Sequence, residues 1–181
     1  MTMYSRRNFL GMAGFAGLAL NSPLALASNS KPKGSKILTL RNLHTNEKVS
    51  CTYWIEGEYQ FEALQEVNAC LRDHRTGDVA QIDPLLLDQV HSLTRNMEYS
   101  GEIHIISGYR SPKTNAMLNK TSSGVAKKSL HMQGRAIDLR LPKKQLSQVR
   151  KAALAQHNGG VGYYPKSNFL HLDTGRTRQW G

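Results

Sequence analysis

The sequence predicts an α+β fold, with a small, largely antiparallel sheet flanked by helices. Two observations predict it. Apolar residues at helical spacing come first, between residues 61 and 97, whereas segments of alternating polarity cluster towards the C-terminal end. No internal repeat and no second domain is visible, and the length suits one domain with a sizeable core.

Each element follows from its own pattern. Lys36 to Leu43 alternates as a strand, and Glu47 to Ile55, with Val49, Thr52, Tyr53 and Trp54, is its hairpin partner across His44-Thr45-Asn46. Phe61, Leu64, Val67 and Leu71 then recur on one helical face. Asp83-Pro84 is a helix start, an N-cap followed by proline at the first helical position, and Leu86, Val90, Leu93 and Met97 continue it as an apolar stripe. Ile103 to Ile106 is a short strand leading into Ser107-Gly108-Tyr109-Arg110, after which Ser111-Pro112 opens a helix through Leu118. Lys120 to Lys128 is a polar loop and Arg135 to Leu141 alternates as a strand. Pro142 is expected to open a helix carrying Leu146, Val149 and Ala153, which Gly159-Gly160 ends. Two last strands lie near Val161–Tyr164 and Asn168–Asp173.

The N-terminus stands apart from this domain. Ser5-Arg6-Arg7-Asn8-Phe9-Leu10 sets paired arginines before an apolar run from Phe9 to Leu20, shorter than the ~20 residues a membrane-spanning helix needs. The run ends near Ala25-Leu26-Ala27, a small-x-small pattern suited to signal peptidase. Residues 1–27 are therefore expected to be an export signal, and its twin arginines indicate the twin-arginine route to the periplasm. Residues 28–35, rich in Ser, Lys, Pro and Gly, are expected as a flexible lead-in to a single domain over 36–181.

With 24 Lys and Arg against 13 Asp and Glu, the net charge is +11; losing Arg6 and Arg7 with the signal takes 2 from this and leaves +9. Such a surface suits a polyanionic neighbour. Export sets nucleic acid aside and leaves cell-wall polymers and anionic headgroups; a monomer without a transmembrane segment is expected. Cys51 and Cys70 are the only cysteines, either one disulfide or two buried thiols, and no C-x-x-C pair marks a redox or zinc-ribbon motif.

Three features carry chemistry. In Ser129-Leu-His131-Met-Gln133-Gly134-Arg-Ala136-Ile-Asp138 a histidine precedes a strand and an aspartate lies on it. Alternation turns Ala136, Asp138 and Arg140 one way and Ile137, Leu139 and Leu141 into the core. A carboxylate flanked by Ile137 and Leu139 is costly unless its charge is satisfied, which a metal ion does well. In Phe169-Leu-His171-Leu-Asp173 the histidine and aspartate share the opposite face from the leucines. Were the two strands neighbours, His131, Asp138 and His171 would offer two imidazoles and one carboxylate, the ligand set of a catalytic Zn2+ site with one position left for water. Lastly, Arg110 sets a fixed charge at a strand end, able to hold a substrate carboxylate or a developing oxyanion. Ser129, Gln133 and Tyr109 are candidates for orienting substrate, and Tyr163, Tyr164 and Trp180 for lining a groove. His44, His74, His91, His104 and His157 lack ligand spacing and are expected to be solvated or satisfied.

Taken together, Ser-Gly-Tyr-Arg at 107–110, Ser-x-His-x-x-Gly-x-Ala-x-Asp at 129–138 and the late His171 resemble the M15-type zinc peptidases, a group that includes D-alanyl-D-alanine peptidases and murein endopeptidases. Val161-Gly-Tyr-Tyr-Pro165 and Phe169-Leu-His-Leu-Asp-Thr-Gly175 liken the chain to the murein endopeptidase K branch, and the resemblance runs from about Phe61 onward. It implies the M15 (hedgehog and D-Ala-D-Ala peptidase-like) fold, zinc on His131, Asp138 and His171, transition-state or substrate contact by Arg110, and peptidoglycan stem peptides as substrate. Many M15 enzymes also place a Glu or His two or three residues before the last zinc histidine. Phe169 and Asn168 stand there instead, and neither can accept a proton. Asp173, on the His171 face of the strand, is the substitute that geometry offers as general base; its other role would be to fix the His171 tautomer. The expected activity is endopeptidase cleavage of peptidoglycan crosslinks, D,D or L,D. A carboxypeptidase trimming terminal D-alanine and a zinc-bearing but inactive wall-binding protein are the alternatives.

Overall fold

A computed structural model describes residues 33–122 and 124–181. The expected export signal, residues 1–27, lies outside the described residues, as do residues 28–32 of the expected lead-in. In chain order the elements are β1 (Ser35–Asn42), β2 (Lys48–Ile55), β3 (Glu58–Tyr59), α1 (Phe61–Cys70), α2 (Pro84–Asn96), β4 (Ile103–Ser107), α3 (Pro112–Thr121), β5 (Ala136–Arg140), α4 (Leu146–Leu154), β6 (Gly160–Tyr164), β7 (Phe169–Asp173) and β8 (Arg178–Trp180). A 3-10 turn at Leu130–Gln133 precedes β5.

The strands form one mixed sheet in the order β3-β2-β1-β4-β5-β7-β6-β8. Pairing is parallel between β1 and β4 and between β6 and β8, and antiparallel elsewhere. The α+β class is as expected, but at eight strands the sheet is larger than the small one the sequence suggests. The two unforeseen strands, β3 and β8, are 2 and 3 residues long, too short to display an alternation.

Alternation on the central strands divides the molecule into two sides. Leu38 and Leu40 on β1, Ile103 and Ile105 on β4, Ile137 and Leu139 on β5, and Leu170 and Leu172 on β7 are buried against Val67, Leu86, Val90, Leu93 and Val149 of α1, α2 and α4. Each such side chain contributes about 1.5–3 kcal/mol relative to remaining in water. Asp138 and His171 therefore lie on the sheet face away from these helices.

Local signals set the helix ends. The Asp83 carboxylate accepts from the Leu85 amide at 3.0 Å and Pro84 occupies the first turn of α2, while Ser111 Oγ accepts from Thr114 N at 3.2 Å to open α3. α4 begins at Leu146 and not at Pro142, because Lys143 adopts φ 66°, which a right-handed helix cannot contain. Phe61, placed on the apolar stripe of α1 by its spacing, is 68% exposed in the first turn, beyond the reach of the sheet. Cys51 and Cys70 are both free thiols. Among the described residues, no helix is long and apolar enough to cross a membrane.

Candidate metal centre

The site is assembled where β4 ends. The β4–β5 register shifts between Ile105 and Ser107, which sets Ser107 opposite Asp138. The chain then passes tightly beneath the end of α1: a Cβ on Gly108 would lie 2.5 Å from the Leu71 carbonyl oxygen, so only glycine fits. The freed Gly108 carbonyl accepts the Nδ1–H of His131 at 2.7 Å, and the Arg110 amide donates to the His131 carbonyl at 3.1 Å. Ser129 caps the 3-10 turn through its Oγ, which accepts from the His131 amide at 3.4 Å. His131 is thereby locked with Nε2 as its free ring nitrogen.

On the sheet, β5 and β7 pair with Asp138 opposite His171. His131 Nε2 lies 3.3 Å from Asp138 Oδ1, and His171 Nδ1 lies 2.9 Å from the same oxygen. One ligand atom from each of the three residues falls within 4.8 Å of the others. Burial alone would raise the Asp138 pKa, but the two imidazoles beside it outweigh burial and hold the carboxylate below its usual range. Two nitrogens and a carboxylate oxygen so gathered fit a divalent metal ion, and each histidine has its other nitrogen already engaged.

His171 Nε2 donates to Asp173 Oδ2 at 3.0 Å. Asp173 is fully buried, and Arg178 grips it with two hydrogen bonds, 2.9 Å to Oδ1 and 2.6 Å to Oδ2. Backbone amides of Gly160 and Gly175 complete its shell at 3.1 and 2.8 Å. Burial would lower the His171 pKa, but its bonds to Asp138 and Asp173 push it up to about 8. Arg178 reaches Asp173 because β8 runs beside β6, whose Gly160 and Gly162 oppose Arg178 and Trp180. A Cβ on Gly162 would lie 2.7 Å from the Trp180 ring, so this glycine lets the indole lie across β6 to the His171 ring, centroids 5.2 Å apart.

The family model described as Peptidoglycan L,D-endopeptidase MepK matches residues 30–180. The chain belongs to the MepK family. It is similar, at 44% identity over 177 residues and 97% of each chain, to the peptidoglycan L,D-endopeptidase MepK of Escherichia coli strain K12. It is 41% identical over 180 residues to the probable peptidoglycan L,D-endopeptidase MepK of Haemophilus influenzae, covering 97% of this chain and 95% of that one. No solved structure matches it.

In this MepK family member the gathered side chains open into a cleft of about 450 Å³ whose wall includes Arg110, Ser129, Tyr164, Phe169 and Trp180, with Asp173 and Arg178, besides the histidines and Asp138. Arg110 Nη2 stands 3.9 Å from Asp138 Oδ2. Two sequence expectations are corrected. Tyr109 packs against the core instead of lining the cleft, since neighbouring residues of an extended segment face opposite ways. Gln133 is exposed outside the cleft: at three residues per turn, a residue two beyond His131 points well away from it. Tyr164 and Trp180 do line the cleft, joined by a 2.9 Å bond from the indole N–H to the phenol oxygen, while Tyr163 faces the core under Arg150. Phe169, where many M15 enzymes carry a proton acceptor, stacks on Tyr164 at 4.5 Å. Arg178 was missed, having no motif around it; the Gly-x-Gly of β6 was the available signal.

Proposed function

We propose that the chain is an exported, periplasmic, zinc-dependent murein endopeptidase, with His131 Nε2, Asp138 Oδ1 and His171 Nδ1 as the metal ligands. The convergence of these three atoms within 4.8 Å is the observation that carries the reading. The names of the similar proteins favour L,D crosslinks, between two diaminopimelate residues, over D,D crosslinks. Zinc bound there supplies Lewis acidity towards the scissile carbonyl and lowers the pKa of water.

The chain's own groups supply the rest. The Gly108 carbonyl and the Asp173 carboxylate fix the two imidazoles in the tautomers that turn Nε2 of His131 and Nδ1 of His171 to the cleft. Arg110, in the cleft wall beside Asp138, steadies negative charge developing on the carbonyl oxygen. Asp173 acts by orienting His171 and not as the general base, because it accepts from Nε2, the nitrogen remote from the ligand cluster, and both its oxygens are engaged. Tyr164, Phe169 and Trp180 form an aromatic wall along which an extended peptide is held and bulk water excluded.

The test is incubation of zinc-loaded protein, residues 28–181, with purified crosslinked peptidoglycan. Muramidase digestion and mass spectrometry follow, with chelated and His171→Ala controls. Loss of L,D-crosslinked dimers and gain of monomers, absent in both controls, is expected. Intact crosslinks with zinc stoichiometrically bound would refute the reading.

A further inference from the structure

The cleft face of the sheet is organised in rows. Ser107, Asp138, His171, Gly162 and Trp180 are successive register partners across β4, β5, β7, β6 and β8, and they form the row that holds the metal cluster. Two residues along the strands, about 7 Å away at the usual rise per residue, runs a second row. There Arg41 pairs with His104, His104 with Arg140, and Phe169 with Tyr164. Arg140 falls beside Phe169, one step on from the Leu139–Leu170 pair. The aromatic half of this row lines the cleft already described; the cationic half continues past it.

That cationic half borders a hollow of about 280 Å³ lined by His104, Arg140, Lys143, Lys144 and Asn168, and no acidic residue lines it. Among the described residues, no hydrogen bond or ion pair engages the Arg140 guanidinium or either lysine ammonium. The nearby Glu102 pairs only loosely with Arg41 and Lys48, at 3.9 and 3.6 Å, and lines the adjoining hollow on the far side of His104, Lys143 and Lys144. His104, expected from the sequence to be solvated or satisfied, has a buried Nδ1 with no partner. Burial first, and then the charge of Arg140, lower its pKa against the pull of Glu102. An unpaired guanidinium and a buried ring nitrogen without a partner are an incomplete arrangement that an anion completes.

We propose that this hollow is a second anchoring subsite of the enzyme, taking a carboxylate of the peptide substrate on Arg140, His104 and the two lysines. The proposal rests on the endopeptidase reading, since the substrate of that reaction is a peptide carrying free carboxylates. A free carboxylate of that branched peptide standing about 7 Å from the scissile bond would match the spacing between the two rows.

The test uses zinc-loaded protein and its Arg140→Gln variant. Both are titrated by calorimetry and side-chain NMR with an uncrosslinked diaminopimelate-containing stem peptide, with the same peptide fully amidated, and with inorganic phosphate. The expected result is binding of the free-acid peptide that shifts the His104 ring signals and weakens about tenfold or more on amidation or in Arg140→Gln, the loss of one charge-assisted contact. On crosslinked peptidoglycan the variant should raise KM by a similar factor with kcat within twofold. Equal binding of peptide by both proteins, or phosphate binding as tightly as the peptide, overturns the proposal, the latter by assigning the hollow to small anions. If wild-type protein cuts no crosslink yet binds the free acid through Arg140, the endopeptidase reading fails and the subsite stands.

Discussion

Replacing Arg178 by alanine tests whether the far side of the metal centre is built as described. The guanidinium makes two bonds to a carboxylate with no exposed surface, at 2.9 and 2.6 Å. Removing one partner of a fully buried ion pair costs about 3–5 kcal/mol. Here the arginine side chain is 32% exposed, and Asp173 keeps the His171 ring and two backbone amides as donors. The penalty should therefore be smaller, about 2 kcal/mol, near the value of one hydrogen bond to a charged group. Loosening Asp173 also frees the His171 ring, so zinc affinity should fall about 10–100-fold, as for other partners of metal-binding histidines. Urea denaturation of the metal-free protein gives the first quantity and zinc competition against a chelator gives the second. Arg178→Lys keeps the charge but not the two-pronged contact, and should fall between wild type and alanine. Stability and zinc affinity both unchanged in Arg178→Ala would refute the argument that Asp173 is held from behind.

Four further outcomes follow from the structure. Asp173→Asn should weaken zinc about 10–100-fold and, at saturating zinc, retain measurable turnover; tight zinc with turnover abolished would instead make Asp173 the general base. Zinc binding must displace a proton from His171, whose pKa in the metal-free protein is raised to about 8. Affinity should therefore rise about tenfold per pH unit below that value and level off above it, measured by chelator competition across pH. The same raised pKa stabilises the metal-free fold fully below the unfolded histidine value, and this contribution fades as pH rises through about 8. Asp73 accepts from the amides of Ser111 and Arg75, both at 2.9 Å; burial would raise its pKa, but bonds from Thr114, Ser111 and Arg75 hold it below the usual range. Its stabilisation is present above the unfolded carboxylate pKa and is lost as pH falls through the folded one, so Asp73→Ala should cost about 1–3 kcal/mol at pH 7 and progressively less in acid, read from denaturation midpoints.

Much of the molecule was legible in its residues because the signals are local. Strand alternation at Ile137 to Leu141 and Leu170 to Asp173 separates core from site, and Asp83-Pro84 and Ser111-Pro112 mark helix starts through short-range hydrogen bonding. The grouping of His131, Asp138 and His171 was also foreseeable, since two alternating strands carrying ligands on one face need only be neighbours. What the sequence left open depended on contacts between distant segments. How the Asp173 carboxylate is held beside His171 depends on Arg178, which arrives on a three-residue strand with no alternation to betray it. Tyr109 and Gln133 adjoin Arg110 and His131 in sequence, but the alternation of the extended segment after β4 and the tight 3-10 turn point them elsewhere. The sequence determined the ligand types and the faces they share, because those follow from the period of the backbone. Only the tertiary structure decided the row order of the sheet, which sets a cationic hollow beside the metal cleft, because register between strands is fixed by packing across the whole sheet and not within any one of them.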